Sequence, residues 1–93
     1  MVELKVIINN KTVIKINVNI DNDSVNDLIS KVKKEKPNVV ISLITIGGED
    51  VNTNEYNKKL KEYDLDEGDN ILISDYYNGG FLLKLNNYII FFI

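Results

Sequence analysis

Two adjacent glycines, Gly79 and Gly80, stand 13 residues before the end of the chain. Because glycine has no Cβ, another protein can grip such a pair as extended backbone in a slot too narrow for other residues. A glycine pair is equally an ordinary turn between strands, here with residues 81–85 as one more strand. The elements that precede the pair must decide between these two interpretations.

The rest of the chain offers little catalytic chemistry, since it contains no cysteine and no histidine. This removes the thiol nucleophile, the commonest metal ligands and the usual proton shuttle. Neither Gly47-Gly48 nor Gly79-Gly80 continues into a phosphate-binding loop. We therefore expect a protein that is not an enzyme and that carries no cofactor and no metal.

The charge of the chain argues against nucleic acid as a partner. The net charge is −3, and all the positive charge is lysine, so the bidentate contacts of arginine are missing. The lack of cysteine suits a cytoplasmic or nuclear protein. No apolar run is long enough to span a bilayer, so we expect no membrane-spanning segment and no membrane partner. We also expect a monomer.

The first 20 residues predict an antiparallel hairpin. Apolar side chains alternate along residues 2–8 and again along residues 14–20, and both sets fall on even numbers. Residues that face each other must then sum to an even number, so the loop needs an odd count of residues. A three-residue loop at 9–11, with a bulge, meets this condition because asparagine tolerates positive φ.

A single helix follows the hairpin. Ser24 suits its N-cap and Asp27 the third helical position, and the helix is predicted over Val25–Glu35, ending before Pro37. The apolar side of this helix must pack against another apolar surface, and the apolar face of the hairpin is the nearest one. The remaining elements are a strand over residues 39–46, a turn at Gly47-Gly48, a short strand near Val51, a helical turn over residues 60–63, a tight turn at residues 67–70 and a last core strand over residues 71–73.

Several segments of residues 2–80 resemble ubiquitin and SUMO. The run LITIG at residues 43–47 is similar to the third strand and turn of ubiquitin. LKEYDL at residues 60–65 resembles the ubiquitin stretch in which a leucine and a tyrosine precede a buried aliphatic residue. Lys11-Thr12 stands as it does after ubiquitin's first turn. The spacing from Ile71 to Gly80 matches the spacing to the terminal Gly-Gly in both proteins, and the acidic run at residues 66–69 is the more SUMO-like feature.

The resemblance implies an α+β, β-grasp (ubiquitin-like) fold: a mixed sheet of four or five strands wrapped around one helix, in the order ββαβ(β)(short helix)β. It divides the chain into a ubiquitin-like domain with a C-terminal arm over residues 1–78, the Gly-Gly end at 79–80 and an apolar extension over residues 81–93. It further implies a protein modifier, processed after Gly80 and joined through the Gly80 carboxylate to lysines of target proteins by an isopeptide bond. Its partners would be a processing protease, activating and conjugating enzymes, and the targets.

The resemblance also implies a second site around Ile44, the match to the centre of ubiquitin's aliphatic patch. If Leu43 faces the core, alternation along the strand turns Ile44 outward. The match is incomplete, since Ser74 falls where another aliphatic residue would stand and Asn9 or Asn10 replaces the loop leucine. The arm differs as well: Asp75, Tyr76, Tyr77 and Asn78 replace basic and leucine-rich residues, and Tyr76 and Tyr77 are candidate partner contacts.

The apolar extension at residues 81–93 admits four interpretations. It is a precursor segment that is cut off, a further strand on the sheet, a segment that inserts shallowly in a membrane, or translated non-coding sequence. The function has alternatives too. One is a ubiquitin-like binding domain that is never conjugated and keeps residues 81–93, and another is a sulfur carrier of the ThiS or MoaD type, which shares the fold and the Gly-Gly end.

Overall fold

A computed structural model of the protein describes residues 1–75, which form a mixed α+β unit with one helix on a five-stranded open sheet. The strand order is β2-β1-β5-β3-β4, with β1 and β5 parallel and the other neighbours antiparallel. This arrangement is compatible with a β-grasp. Its elements are β1 (Val2–Ile8), β2 (Thr12–Val18), α1 (Val25–Glu35), β3 (Leu43–Ile46), β4 (Glu49–Val51) and β5 (Asn70–Ser74).

The hairpin has the predicted register. Val2 pairs with Val18 and Ile8 with Thr12, so the loop consists of residues 9–11. Asn9 and Asn10 adopt positive φ values of 53° and 58°, a conformation that asparagine tolerates better than most residues. The second strand differs from the prediction at both ends, since it begins at Thr12 and stops at Val18. It stops there because the Asn19 Oδ1 accepts hydrogen bonds from the backbone N–H groups of Asp21 and Asn22, and these bonds turn the chain.

Helix α1 begins and ends where the sequence predicts. The Ser24 hydroxyl accepts a hydrogen bond from the Asp27 N–H at 3.2 Å, and the Asp27 carboxylate accepts one from the Ser24 N–H at 2.9 Å. This reciprocal capping box satisfies backbone donors that a helix start leaves unpaired. At the other end the Lys36 N–H donates to the Val32 carbonyl, and Pro37 prevents another turn.

Removing the cap is expected to weaken the fold. Ser24→Ala should lower the free energy of unfolding by about 1 kcal/mol, because the first turn loses its side-chain acceptor. The measurement is urea unfolding followed by circular dichroism. Ser30→Ala, an exposed serine within the same helix, is the matched control and should change the stability by less than about 0.5 kcal/mol. Equal effects of the two substitutions would show that the capping box contributes nothing.

The same cap predicts a pH dependence. Hydrogen bonds from the backbone and side chain of Ser24 hold the pKa of the Asp27 carboxyl below its ordinary value of 3.8. A lowered pKa in the folded state adds stability above the unfolded value, and that stability is lost as the pH falls through the folded pKa. An NMR titration should find the Asp27 pKa below 3.8 in the wild type and closer to 3.8 in Ser24→Ala. An unshifted wild-type value would contradict the cap geometry.

The third strand is shorter than predicted. It covers only Leu43–Ile46, whereas the sequence indicates residues 39–46. The Val39 N–H donates to the Lys36 carbonyl in a turn that follows the helix, and the Val40 side chain is 60% exposed. Strand β3 begins at Leu43 because its partner β5 ends opposite, at Ser74. The length of the neighbouring strand, rather than β propensity, sets the start of this one.

One apolar core lies between the helix and one face of the sheet. Helix α1 contributes Val25, Leu28 and Val32, and all three are fully buried. The sheet contributes residues from β1, β2, β3, β4 and β5 that face the same side. The fully buried large side chains of the sheet are Leu4, Val6, Val18, Ile44, Ile46 and Ile71. Within residues 1–75 no helix is long and apolar enough to cross a membrane.

The segment before β5 folds as the sequence predicts. A 3₁₀ turn covers Leu60–Tyr63, with Leu60 fully buried and Leu65 nearly so. Tyr63 packs against the core, and the Lys58 Nζ lies 5.3 Å from the centroid of its ring. The tight turn that follows has Gly68 at φ 84° and delivers the chain to Asn70, where β5 begins.

The hydroxyl of Tyr63 is buried without a hydrogen-bond partner among residues 1–75. Burying an unpaired polar group costs free energy, so Tyr63→Phe is expected to leave the stability unchanged or to raise it by up to about 1 kcal/mol. Burial also raises the pKa of Tyr63 above 10.0, so the wild type should lose stability as the pH rises past that value. Unfolding at pH 7 and at pH 10.5 would test both points. A clear loss of stability at pH 7 in Tyr63→Phe would show that the hydroxyl is bonded.

Candidate functional site

The end of β5 is the place from which any C-terminal arm must start. Strand β5 is the central strand of the sheet, with β1 on one side and β3 on the other. Its Ile71 and Ile73 lie in the core, so the strand is anchored through its side chains as well as its hydrogen bonds. The chain leaves the sheet at Asp75, directly after Ser74, which is half-buried and pairs with Leu43.

The backbone on either side of this exit is tied to β5. The Asn9 N–H donates to the Ile73 carbonyl at 2.8 Å, and the Ser42 N–H donates to the Ser74 carbonyl at 2.9 Å. The exit therefore lies between the β1–β2 turn and the residue that precedes β3. Because both neighbours belong to the folded core unit, the point at which the chain departs is fixed.

Most of the site residues predicted from the sequence lie outside residues 1–75. Gly79, Gly80, Tyr76 and Tyr77 are among them, as is the apolar extension at residues 81–93. Their assignment remains a prediction. Of the predicted site residues, the structure describes Ser74, at the end of β5, and Ile44, in β3.

The prediction that Ile44 faces outward is wrong. Its side chain is 0% exposed and belongs to the core. In the sheet Ile44 pairs with Ile73 and Ile46 pairs with Ile71, and all four side chains are directed toward the helix side. Leu43 and Thr45 consequently face the other side of the sheet. Ile44 cannot contact a partner in the folded protein, so it leaves the candidate site.

Other aliphatic side chains occupy the face of the sheet that is turned away from the helix. The sheet register places Val13, Ile7, Leu72 and Thr45 in one row across β2, β1, β5 and β3, and Leu43 lies beside it. Val13 is 56% exposed and Leu72 is 41% exposed. We call Val13 and Leu72, together with the partly buried Ile7 and Leu43, the outer-face patch. A contiguous group of exposed apolar side chains is a feature of protein-interaction surfaces.

Charged residues border the outer-face patch on two sides. Lys5 and Lys15 face each other in the next positions along β1 and β2. At the β3 end of the row, Asp50 of β4 pairs with Thr45, and the Thr45 hydroxyl donates a hydrogen bond to the Asp50 carboxylate at 2.9 Å. The patch thus has cations along one border and an anion at another, and a partner would need the complementary arrangement.

The hairpin sequence carries a signal for this patch. In the hairpin, Val13 and Ile7 occupy odd positions, where alternation leads one to expect polar residues. Both break the pattern on the solvent side, and the register shows that they face each other. An apolar surface on the solvent side of a sheet can be predicted where two paired strands both carry an apolar residue at a position expected to be polar.

No protein-family model matches the chain, and no curated protein matches it.

Proposed function

We propose that this protein is a ubiquitin-like modifier: a β-grasp domain that presents a C-terminal arm ending in Gly79-Gly80. The observation that carries the proposal is the position of β5. It is the central, core-anchored strand, it ends at Ser74, and the glycine pair follows a few residues later in the sequence. A modifier needs a rigid body and an arm that starts at a fixed point on it, because its enzymes must bind the body and the arm together.

The chemistry of such a modifier lies in its carboxylate. Processing after Gly80 releases that carboxylate, which an activating enzyme joins to AMP from ATP with loss of pyrophosphate. A cysteine of the enzyme then displaces AMP and forms a thioester, and a lysine amine of the target displaces the thiol to form the isopeptide bond. The modifier supplies no catalytic group, in keeping with a chain that lacks cysteine and histidine.

Activation in a cell extract tests this function directly. A chain ending at Gly80 should form an adduct in an extract of its native cells with ATP. Dithiothreitol should remove this adduct, because a thiol cleaves a thioester. A chain ending at Gly79 is the matched control and should form little or none. If neither chain gives an ATP-dependent adduct, the modifier function is contradicted.

A second candidate function is a ubiquitin-like binding domain that is not conjugated. The outer-face patch favours it, because exposed Val13 and Leu72 with their neighbours offer a binding surface that needs no carboxylate. This function predicts that residues 81–93 stay attached and that the glycine pair can be replaced without effect. A sulfur carrier is the third candidate, and a thiocarboxylate found on Gly80 would establish it.

A further inference from the structure

Asp75, the first residue after β5, has its backbone held from both sides by side chains. The Asn9 Oδ1 accepts a hydrogen bond from the Asp75 N–H at 2.9 Å. The Ser42 hydroxyl donates to the Asp75 carbonyl at 3.1 Å. Asn9 belongs to the β1–β2 turn and Ser42 directly precedes β3, so the two contacts come from segments on opposite sides of β5.

These contacts continue the pattern of the sheet beyond its last strand residue. The backbone N–H of Asn9 already bonds Ile73 and that of Ser42 already bonds Ser74. At Asp75 the neighbouring strands have ended, and the side chains of the same two residues take over the donor and acceptor roles. Asp75 is exposed, so burial does not account for its being held.

The geometry of Asn9 makes this double role possible. Its φ of 53° is a left-handed conformation, which closes the three-residue loop. Its backbone bonds Ile73 while its side chain bonds Asp75. Glycine would close the same turn, but only a side chain with an acceptor oxygen reaches Asp75 as well.

We propose that Asn9 and Ser42 form a clamp that fixes Asp75 as the origin of the C-terminal arm, and that they are positioning residues for the chemistry at Gly80. This inference rests on the proposed modifier function. With the origin fixed, the five residues 76–80 limit the reach of the arm to about 17 Å, the length of a fully extended chain at roughly 3.4 Å per residue. An enzyme that binds the body and the glycine pair together then orders fewer residues on binding, which favours its affinity.

Amide hydrogen exchange tests the clamp itself in the full chain. Asn9→Gly keeps the left-handed turn and removes the acceptor, so exchange of the Asp75 N–H should rise about fivefold, the effect of losing one hydrogen bond. Asn10→Gly is the matched control, since Asn10 lies in the same turn with a similar φ of 58°. Asn9→Asp replaces the amide oxygen with a carboxylate oxygen and should restore protection. Unchanged exchange in Asn9→Gly, with the fold intact, would overturn the clamp.

Adduct formation tests the positioning role. In native-cell extract with ATP, Asn9→Gly and Ser42→Ala should need about fivefold more modifier for half-maximal thioester formation, with the same maximal rate. Asn10→Gly and Asn9→Asp should behave as the wild type. Faster Asp75 exchange with an unchanged requirement for modifier would overturn the positioning role. If the wild type forms no adduct, the proposed function fails and the positioning role with it, while the exchange result still reports on the clamp.

Discussion

Ile44→Ala should lower the free energy of unfolding by about 3 kcal/mol, whereas Leu43→Ala should lower it by about 1 kcal/mol or less. The two residues are neighbours in β3 and lose the same number of carbon atoms on truncation. Ile44 is fully buried against the helix side of the sheet, and Leu43 is only partly buried on the other face. A cavity forms only at Ile44, and the cavity accounts for much of the cost of such a substitution.

The measurement is urea unfolding of both variants, monitored by circular dichroism, with the slope of the transition compared to that of the wild type. Ile44→Val is the milder companion, expected to cost about 1 kcal/mol, and keeps the comparison informative if Ile44→Ala does not fold. A larger loss in Leu43→Ala than in Ile44→Ala would contradict the orientation of β3. It would also restore Ile44 as a candidate contact on the outer face.

Replacement of Gly79 and Gly80 by alanine should reduce both precursor cleavage after residue 80 and thioester formation on the order of 100-fold. The proposed function requires this backbone to lie in a narrow slot of an enzyme, and each alanine adds a Cβ to it. A displacement of about 1 Å at a reacting group costs about that factor in rate. The substitutions follow the end of β5 at Ser74, so the stability of the core unit should not change.

Cleavage of the purified precursor in native-cell extract, followed by mass spectrometry, measures this effect. Asn78→Ala is the matched control, because it lies beside the pair and alters no glycine. Cleavage and activation that proceed equally well in the double alanine variant would contradict the modifier function. That result would favour the binding domain with its outer-face patch.

Much of the fold follows from local patterns in the sequence. The apolar positions of both hairpin strands are even-numbered, and this predicts the observed register. The capping pair Ser24 and Asp27 predicts the start of α1, and Pro37 predicts its end. In both cases the determining residues are close together in the chain, so local physical chemistry is enough. The 3₁₀ turn at Leu60–Tyr63 and the buried Leu65 follow from the same kind of pattern.

The face of β3 could not be predicted in this way. Residues 39–46 are apolar at nearly every position, so alternation gives no orientation. The orientation comes from pairing with β5, in which Ile44 lies opposite Ile73 and Ile46 opposite Ile71. The clamp at Asp75 was beyond sequence analysis for a similar reason, since it joins Asn9 and Ser42 to a residue far along the chain.

The intact mass of the protein recovered from its native cells tests the central claim most directly. The modifier function predicts a form that ends at Gly80, together with Gly-Gly remnants on lysines of other proteins that trace to this chain. A form that retains residues 81–93, with no conjugates, would contradict it.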